Sequence, residues 1–566
     1  MKTCHHALTY IFHVILLAST ASGQVGSCEP GTAEASLDIG NVRADIFNNG
    51  ALFRNRGAPV YEVPKDAGLN AIYASIIWIA GKVDNNLRAA ASRTGPREFW
   101  PGPLDKQGNP PADCSAYDQL WEVNRQDLLQ LRQHGKISEN IRNWPWTLGA
   151  PVIDGDGIPD NYNPEGGDLP ELYGHQRIWW IMNDRGNAHL TTESEPIGIE
   201  VHASAFAFDN PPMLQDHTFY EYRLINKNTV PITDAYFTYW TDADLGNFDD
   251  DYVGSDSLLH LGYYYNADND DEGGYGEAPP AVGFTFIKTP VADQDGVDND
   301  RDGEIDEPGE MMGASSVMNH SKGHGIVGPP LVIADYYNYM RALWKDGSTI
   351  KEGWYHGNMD QIWPEPWPEE LAPTSTRFSF SGDPVTASFW SENNIDKKGL
   401  AADPADRRLH TSSGPFSIAP GDTIHIAFAV LWARGDNNLD SVHKLKGNAL
   451  HIRSVGTGFL SPSNPADLIP RTNDAEPANF VLAFNQNFPN PFSESTTFRY
   501  SLPQSMRMRL TVYDMLGREV ELLVDQQQDA GNYTVDFEAG TLPSGMYLAQ
   551  IELDHLRFTK RMVLAK

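Results

Sequence analysis

The chain has few cysteines, three in 566 residues, and that scarcity excludes a disulfide-dense scaffold. Cys4 falls in the first 23 residues, which read as a cleaved signal, so Cys28 and Cys114 remain as an even pair. Spacing alone leaves open whether they meet in a disulfide. Long hydrophobic runs are missing too. No stretch approaches the ~18–20 apolar residues of a membrane-spanning helix. Basic residues are in the minority, 42 Lys and Arg against 76 Asp and Glu, for a formal charge of −34. That balance repels phosphate backbones and anionic headgroups, which excludes nucleic acid as a partner. The patterns H-E-x-x-H, G-x-S-x-G, G-x-G-x-x-G and the P-loop are absent, and neither remaining cysteine has zinc-type spacing.

What is present points to packed globular domains. Hydrophobic residues make up 40% and aromatics 11%, more than a disordered chain carries. With 49 Gly and 39 Pro, elements are short and turns many, so the expected class is mainly β: a multi-domain β-sandwich body with few helices. Residues 1–23 read as a signal peptide. Lys2 precedes an apolar run over 11–18, and Ala21-Ser22-Gly23 has the small-x-small form of a cleavage site. Residues 461–479, rich in Pro, Ser, Asn and Asp, read as a linker. Between them lies an acidic β-rich body, 24–460, with two or more subdomains. Beyond the linker lies a tail, 480–566.

Within the body, strand patterns fall at 74–83, 177–182, 197–208, 218–226, 235–241, 281–287, 377–381 and 423–432. Asp84-Asn85-Asn86 signals a hairpin from 74–83 into 87–91, and Thr229-Val230-Pro231 signals another between 217–228 and 232–241. In the run 219–224, alternation puts Tyr220, Tyr222 and Leu224 on the core side. Helical spacing predicts helices over 118–134 and 438–455. The runs 249–251 and 268–272 read as surface charge. Trp78, Trp100, Trp144, Trp146, Trp179, Trp180, Trp363 and Trp367 suit sugar stacking or, for most, a core. His320 and His324, beside Gly323 and Gly325, read as loop residues.

The tail shows about seven short alternating runs in under 90 residues, an immunoglobulin-like β-sandwich pattern. It carries Asn485-Gln486-Asn487-Phe488-Pro489-Asn490-Pro491-Phe492, then Val512-Tyr513-Asp514-Met515-Leu516-Gly517-Arg518, then Pro543-Ser544-Gly545-Met546-Tyr547, and finally Lys560-Arg561-Met562-Val563-Leu564. These four motifs, in this order, closely resemble the type A C-terminal sorting domain of the type IX secretion system. The resemblance implies that Asn487, Pro489, Asn490, Pro491, Phe492, Asp514, Gly517, Arg518, Gly545 and Tyr547 carry the sorting motif. It implies the secretion machinery as partner and a secreted or cell-surface location. It also implies removal of the tail, with release or attachment to surface lipopolysaccharide. The body resembles an uncharacterised family of exported proteins with the same tail, through Glu98-Phe99-Trp100-Pro101-Gly102-Pro103, Gln176-Arg177-Ile178-Trp179-Trp180, Asp244-Leu245-Gly246-Asn247-Phe248 and Ser412-Ser413-Gly414-Pro415-Phe416. That resemblance implies export and no particular reaction.

Two acidic loops suggest calcium. Calcium takes six to eight hard oxygens, and alternate carboxylates on a tight loop converge on one point. Asp298, Asp300 and Asp302 would give carboxylates, Glu304 its carbonyl, and Asp306 would close the shell. Position 12 of an EF-hand would be Glu, and here it is Gly309. Asp154, Asp156 and Asp160 form a second, shorter match. The alternative for both is a solvated acidic turn. Two function classes stay open: a calcium-stabilised non-catalytic module for adhesion, glycan or protein binding or an envelope role, and an extracellular polymer hydrolase such as a glycosidase, whose carboxylate pair the sequence does not locate.

Overall fold

The computed structural model describes the chain apart from residues 1–25, 56, 94, 96, 300–304, 324, 354–373, 389, 394–401, 461–482, 485–486, 503–505, 516, 530 and 554–555. The expected signal peptide, the expected linker, Trp363, Trp367, His324, Asp300, Asp302 and Glu304 lie outside the described residues. Twelve principal strands build the body. In chain order they are β1 (Arg43–Phe47), β2 (Ala74–Val83), β3 (Gln176–Asn183), β4 (Ile199–Ala207), β5 (Thr218–Asn226), β6 (Ile232–Asp242), β7 (Asp251–Asp256), β8 (Leu261–Asn266), β9 (Ala281–Lys288), β10 (Ser316–Ser321), β11 (Arg407–Ile418) and β12 (Thr423–Ala433). One sheet runs β1, a short strand, β2, β6, β11, β10. The other runs β7, β8, β9, β12, β5, β4, β3.

The sheets enclose a core in which aromatic rings interlock. Phe237 and Tyr239 of β6 face Tyr222 of β5 and Phe428 of β12, with ring centroids 5.6 Å apart for Tyr222 and Phe237 and 4.3 Å for Tyr239 and Phe428. Tyr220, Tyr222 and Leu224 all lie in this core, on the side that alternation predicts. In β12 the period of two is especially clear. Ile426, Phe428, Val430 and Trp432 face the other sheet, while Ala427, Ala429 and Leu431 face outward. Those small residues seat a helix, α1 (Asn438–Val455), through Val442, Leu445, Ala449 and Ile452. At Gly283 of β9 an added Cβ would stand 3.0 Å from Leu445, so the seat tolerates almost no extra volume. α1 matches the helix that the spacing over 438–455 predicts. On the opposite sheet the helix Ile333–Met340 covers Trp78, whose ring meets that of Tyr336 at 4.9 Å. Strand β2 is therefore buried on both faces.

Three expectations need correction. The segment 118–134 is not one helix. Trp121–Asn124 is a strand paired with β3, and the helix is Arg125–His134, opened by an Asn124–Asp127 capping box. Cross-strand pairing of Trp121 with Trp179 outweighs the helical spacing there. Strands β5 and β6 form no hairpin. β5 pairs with β4 and β12, whereas β6 pairs with β2 and β11. The chain arches from one sheet to the other, and Asn226 pins the corner by donating to the carbonyls of Val230 and Ile418 at 3.0 and 2.9 Å. Over 377–381 no strand forms, apart from a single bridge at Phe378. The hairpin after β2 does form, with Asp84 and Asn85 at φ of 50° and 61° as a two-residue turn requires.

Among its described residues the tail has seven strands in two sheets. Ala483–Phe484, Ser495–Leu502 and Gly531–Glu538 form one. Glu519–Gln528, Met506–Asp514, Gly545–Leu553 and Leu556–Leu564 form the other. Phe498, Leu510, Val512, Ile551 and Met562 fill the space between them.

Phe428 touches both sheets, so Phe428→Ala is expected to cost about 3–5 kcal/mol in urea denaturation. A loss under about 1 kcal/mol would show that the sheets do not share this core.

Candidate cation sites and the sorting tail

Two short strands, Val152–Ile153 and Leu169–Pro170, pair antiparallel and pin both ends of the loop between them. The pinning brings Asp154, Asp156 and Asp168 together, one carboxylate oxygen of each lying within 4.8 Å of the others. Asp168 accepts from the backbone N–H of Gly155 at 2.9 Å, Asp156 at 3.3 Å and Asn163 at 2.7 Å. At Gly155 a Cβ would stand 2.0 Å from the Gly167 carbonyl, so the turn requires glycine. Hydrogen bonds, first from the Ile158 N–H, hold the Asp156 carboxyl below the usual carboxylate range. The predicted Asp160 is not one of the three. Asp168, which sequence spacing did not single out, stands with the pair, because strand pairing rather than local spacing carries it there.

The second loop has the same closure. The segment is pinned by a bridge between Val291 and Met311. Asp306 accepts from the N–H groups of Asp295 and Gly296 at 2.8 and 2.9 Å, as Asp168 does from Gly155 and Asp156. Asp298 and Asp306 thus lie on a loop folded back on itself, and Asp293 accepts from Gly309 at 3.1 Å.

A third acidic group was not singled out in the sequence. Asp242, Asp244 and Asp406 each place a carboxylate oxygen within 4.8 Å of the others. Asp242 ends β6 opposite Arg408 of β11. Arg408 Nε stands 3.0 Å from its Oδ1 and Nη2 3.2 Å from its Oδ2. Arg408 also pairs with Asp406, and Lys322 Nζ lies 3.1 Å from Asp406 Oδ2. Burial pushes Asp242 up to about 7 against the pull of Arg408, and burial and then the charge of Asp406 push Asp244 up to about 6. The runs 249–251 and 268–272 are not wholly surface charge: Asp251 and Asp271 are fully buried.

Other candidates resolve into packing. His320 lies in β10, not in a loop, and its Nδ1 is 2.6 Å from Nε2 of His410. Both rings are buried beside Tyr339. Burial pushes His410 down to about 3, His217 down to about 4 and His320 well below the ordinary histidine value. Trp78, Trp100, Trp144, Trp179 and Trp180 are buried, and Trp146 is partly so. Cys28 and Cys114 form a disulfide. A cavity of about 930 Å³ beside α1 holds Asp256 and Asp383, and Lys446 Nζ ion-pairs with both at 3.1 and 3.3 Å.

The tail's motif residues fasten its strands. The Asn487 amide donates to Thr496 Oγ1 at 2.9 Å and to the Pro489 carbonyl at 3.2 Å. Asn490 Oδ1 accepts from the Val563 N–H at 2.8 Å, and Phe492, buried, bonds through its backbone to Val563 and Ala565. Arg518 clasps Asp514 across a turn where Gly517 has φ of 77°. Tyr547 donates to the Pro543 carbonyl at 2.9 Å, and Gly545 begins its strand. Pro491 lies between Asn490 and Phe492. Phe488 exchanges two backbone hydrogen bonds with Thr497 at 3.0 Å while the residue is 78% exposed. Residues 486–565 match the family model described as the secretion system C-terminal sorting domain. The tail is a type IX sorting domain. The protein is accordingly an exported one, delivered by that system to the cell surface or beyond, and among the described residues no helix is long and apolar enough to cross a membrane.

For the whole chain, curated proteins give no match. A solved polysaccharide lyase is similar at 8% identity over 73% of this chain and 39% of that one, with a TM-score of 0.22. Dimeric latent PorU from Porphyromonas gingivalis is similar at 8% over 70% and 32%, with a TM-score of 0.14. The chain thus spans well under two thirds of either, and scores so low say nothing of activity.

The buried histidines set a pH dependence. Unfolded histidine takes a proton near 6.5, while folded His410 resists protonation down to about 3. Between those values the unfolded state binds more protons, so stability falls as pH falls through 6.5. The wild type is expected to lose more melting temperature between pH 7 and pH 5 than His410→Gln does. Equal losses would remove His410 from the balance.

Proposed function

We propose that the body is a calcium-stabilised, non-catalytic module for adhesion, glycan or protein binding or an envelope role, displayed or released outside the outer membrane once the sorting tail has served. The convergence of Asp154, Asp156 and Asp168 on a strand-pinned loop supports calcium most directly. Three carboxylates held that close repel one another unless a cation sits among them, and hard oxygens favour calcium. Its structural role follows from the pinning: an ion on this loop ties its two ends together. The 293–310 loop, closed in the same way by Asp306, is the second calcium site in this reading. Attachment to surface lipopolysaccharide after tail removal belongs to the same reading.

The rival reading, a glycosidase-like hydrolase, requires two carboxylates free to exchange a proton across a cleft. Asp256 and Asp383 share a cavity, but Lys446 engages both. That arrangement favours the non-catalytic reading.

Calcium at millimolar concentration is expected to raise the melting temperature of the secreted body by several degrees, and chelator to reverse the gain. A stabilisation of about 2.7 kcal/mol corresponds to free calcium roughly 100-fold above its Kd. Asp168→Asn should lose about half of that gain or more. An unchanged melting curve with calcium would remove the proposal. Separately, deletion of 480–566 is expected to leave the body in the periplasm. Its normal appearance outside the cell would show that the tail is not the address.

A further inference from the structure

We propose that Asp242, Asp244, Asp251 and Asp406 build an internal site for a hard divalent cation, calcium before others, at the corner where the chain passes from one sheet to the other. The proposal depends on neither surface loop. Strand β6 of one sheet ends at Asp242, and β7 of the other begins at Asp251. The connecting segment carries Asp244. Asp406 arrives from the start of β11, two residues before the Arg408 that lies opposite Asp242. Asp251 joins them through its backbone and its side chain. Its carbonyl accepts from Ala405, next to Asp406, at 3.2 Å, and its Oδ2 accepts from Leu245, next to Asp244, at 3.1 Å.

Proximity of acids alone would prove little. The second observation is that two of the buried oxygens accept no hydrogen bond. Asp251 has no solvent exposure, and its Oδ1 accepts no hydrogen bond. Asp242 is 3% exposed, and its Oδ1 accepts no hydrogen bond either, its nearest cation being Arg408 Nε in an ion pair at 3.0 Å. Carboxylate oxygens sealed from water normally take donors or a metal. The nearby cations fall short. Arg408 and Lys322 offer two positive charges against four carboxylates, before Asp249, Asp250 and Asp271 are counted. A divalent cation supplies the missing two. The ligand set, all carboxylate oxygens drawn from three chain segments, suits a hard ion of variable geometry. Such an ion would tie the start of β7, in one sheet, to the paired ends of β6 and β11 in the other.

The test starts from the full secreted chain carrying Asp154→Asn, Asp156→Asn and Asp306→Asn, which silences both surface loops. Calcium titrated calorimetrically into this parent is expected to bind at one ion per chain. Adding Asp244→Asn should weaken that binding by about tenfold or more, as expected when a site loses one charged ligand. The same substitution should raise the melting temperature in chelator, where repulsion dominates, and lower it in calcium. A parent that binds no calcium, or an Asp244→Asn form that binds as the parent does, overturns the proposal. If Asp244→Asn does not fold, terbium luminescence from the parent, excited through the tyrosines around the corner and displaced by calcium, takes its place, and its absence is equally fatal. Loss of ions on silencing the loops reports separately on the surface sites: their failure would appear as equal stoichiometry in the parent and the wild type.

Discussion

Long strands buried on both faces oblige a sandwich to pair every polar side chain that it encloses, as His320 with His410 and Arg177 with Glu221, and its corners carry the same demand. β2 is covered by the opposite sheet on one side and by the helix Ile333–Met340 on the other. β12 is covered by the opposite sheet and by α1. Each passage between sheets must therefore satisfy its own backbone while supporting charge or amide groups close to the core. At the β5–β6 corner Asn226 does this with two carbonyl contacts. At the β6–β7 corner the residues are carboxylates, and Arg408, Lys322 and the Leu245 N–H meet only part of them, leaving Asp242 Oδ1 and Asp251 Oδ1 without a hydrogen bond. The same geometric demand has been met once by a neutral amide and once by acids, and only the second leaves charge to be balanced.

Much of this was legible from residues in order. The alternation in 218–226 and 423–432 gave the right faces, and spacing over 438–455 gave the helix whose seat those faces form. The Asp84-Asn85 turn was readable because positive φ favours few residue types. Sheet membership was not readable. Thr229-Val230-Pro231 breaks two strands whether they then pair or part, and only the partners β12 and β11, nearly 200 residues later, decide the matter. The site residues divide in the same way. Asp154 and Asp156 stand in a recognisable local pattern, but Asp168 joins them through a strand pair 15 residues wide. Asp242, Asp244, Asp251 and Asp406 belong to no local pattern at all. An acid's burial depends on what packs over it, so 249–251 looked like solvated charge although Asp251 is sealed. Even in hindsight the only signal was the density of acids around a strand end.

The excess negative charge acquires a physical meaning in this light. A chain at −34 resists its own compaction, and here part of that charge is folded inward rather than spread over the surface. On the proposed reading, carboxylates at a pinned loop or a sealed corner make folding dependent on a counter-ion, because the native state concentrates charge that the unfolded chain keeps apart. The two surface loops and the corner differ in exposure but share this logic: an ion that binds only the native arrangement adds its binding energy to stability.

The tail follows a different rule. Its defining residues act through uncharged groups: the amides of Asn487 and Asn490, the Thr496 and Tyr547 hydroxyls, and backbone bonds from Phe492. Only the exposed Asp514–Arg518 clasp is ionic, and exposed pairs of that kind contribute little. The shape of the sorting domain should thus be insensitive to calcium and to modest changes of pH, whereas the body's stability, on the proposed reading, is not. A recognition element that must be read before the protein reaches its final medium has reason to be built this way. Its fold does not wait on ions, while the body's strength can be set by the medium in which it comes to rest.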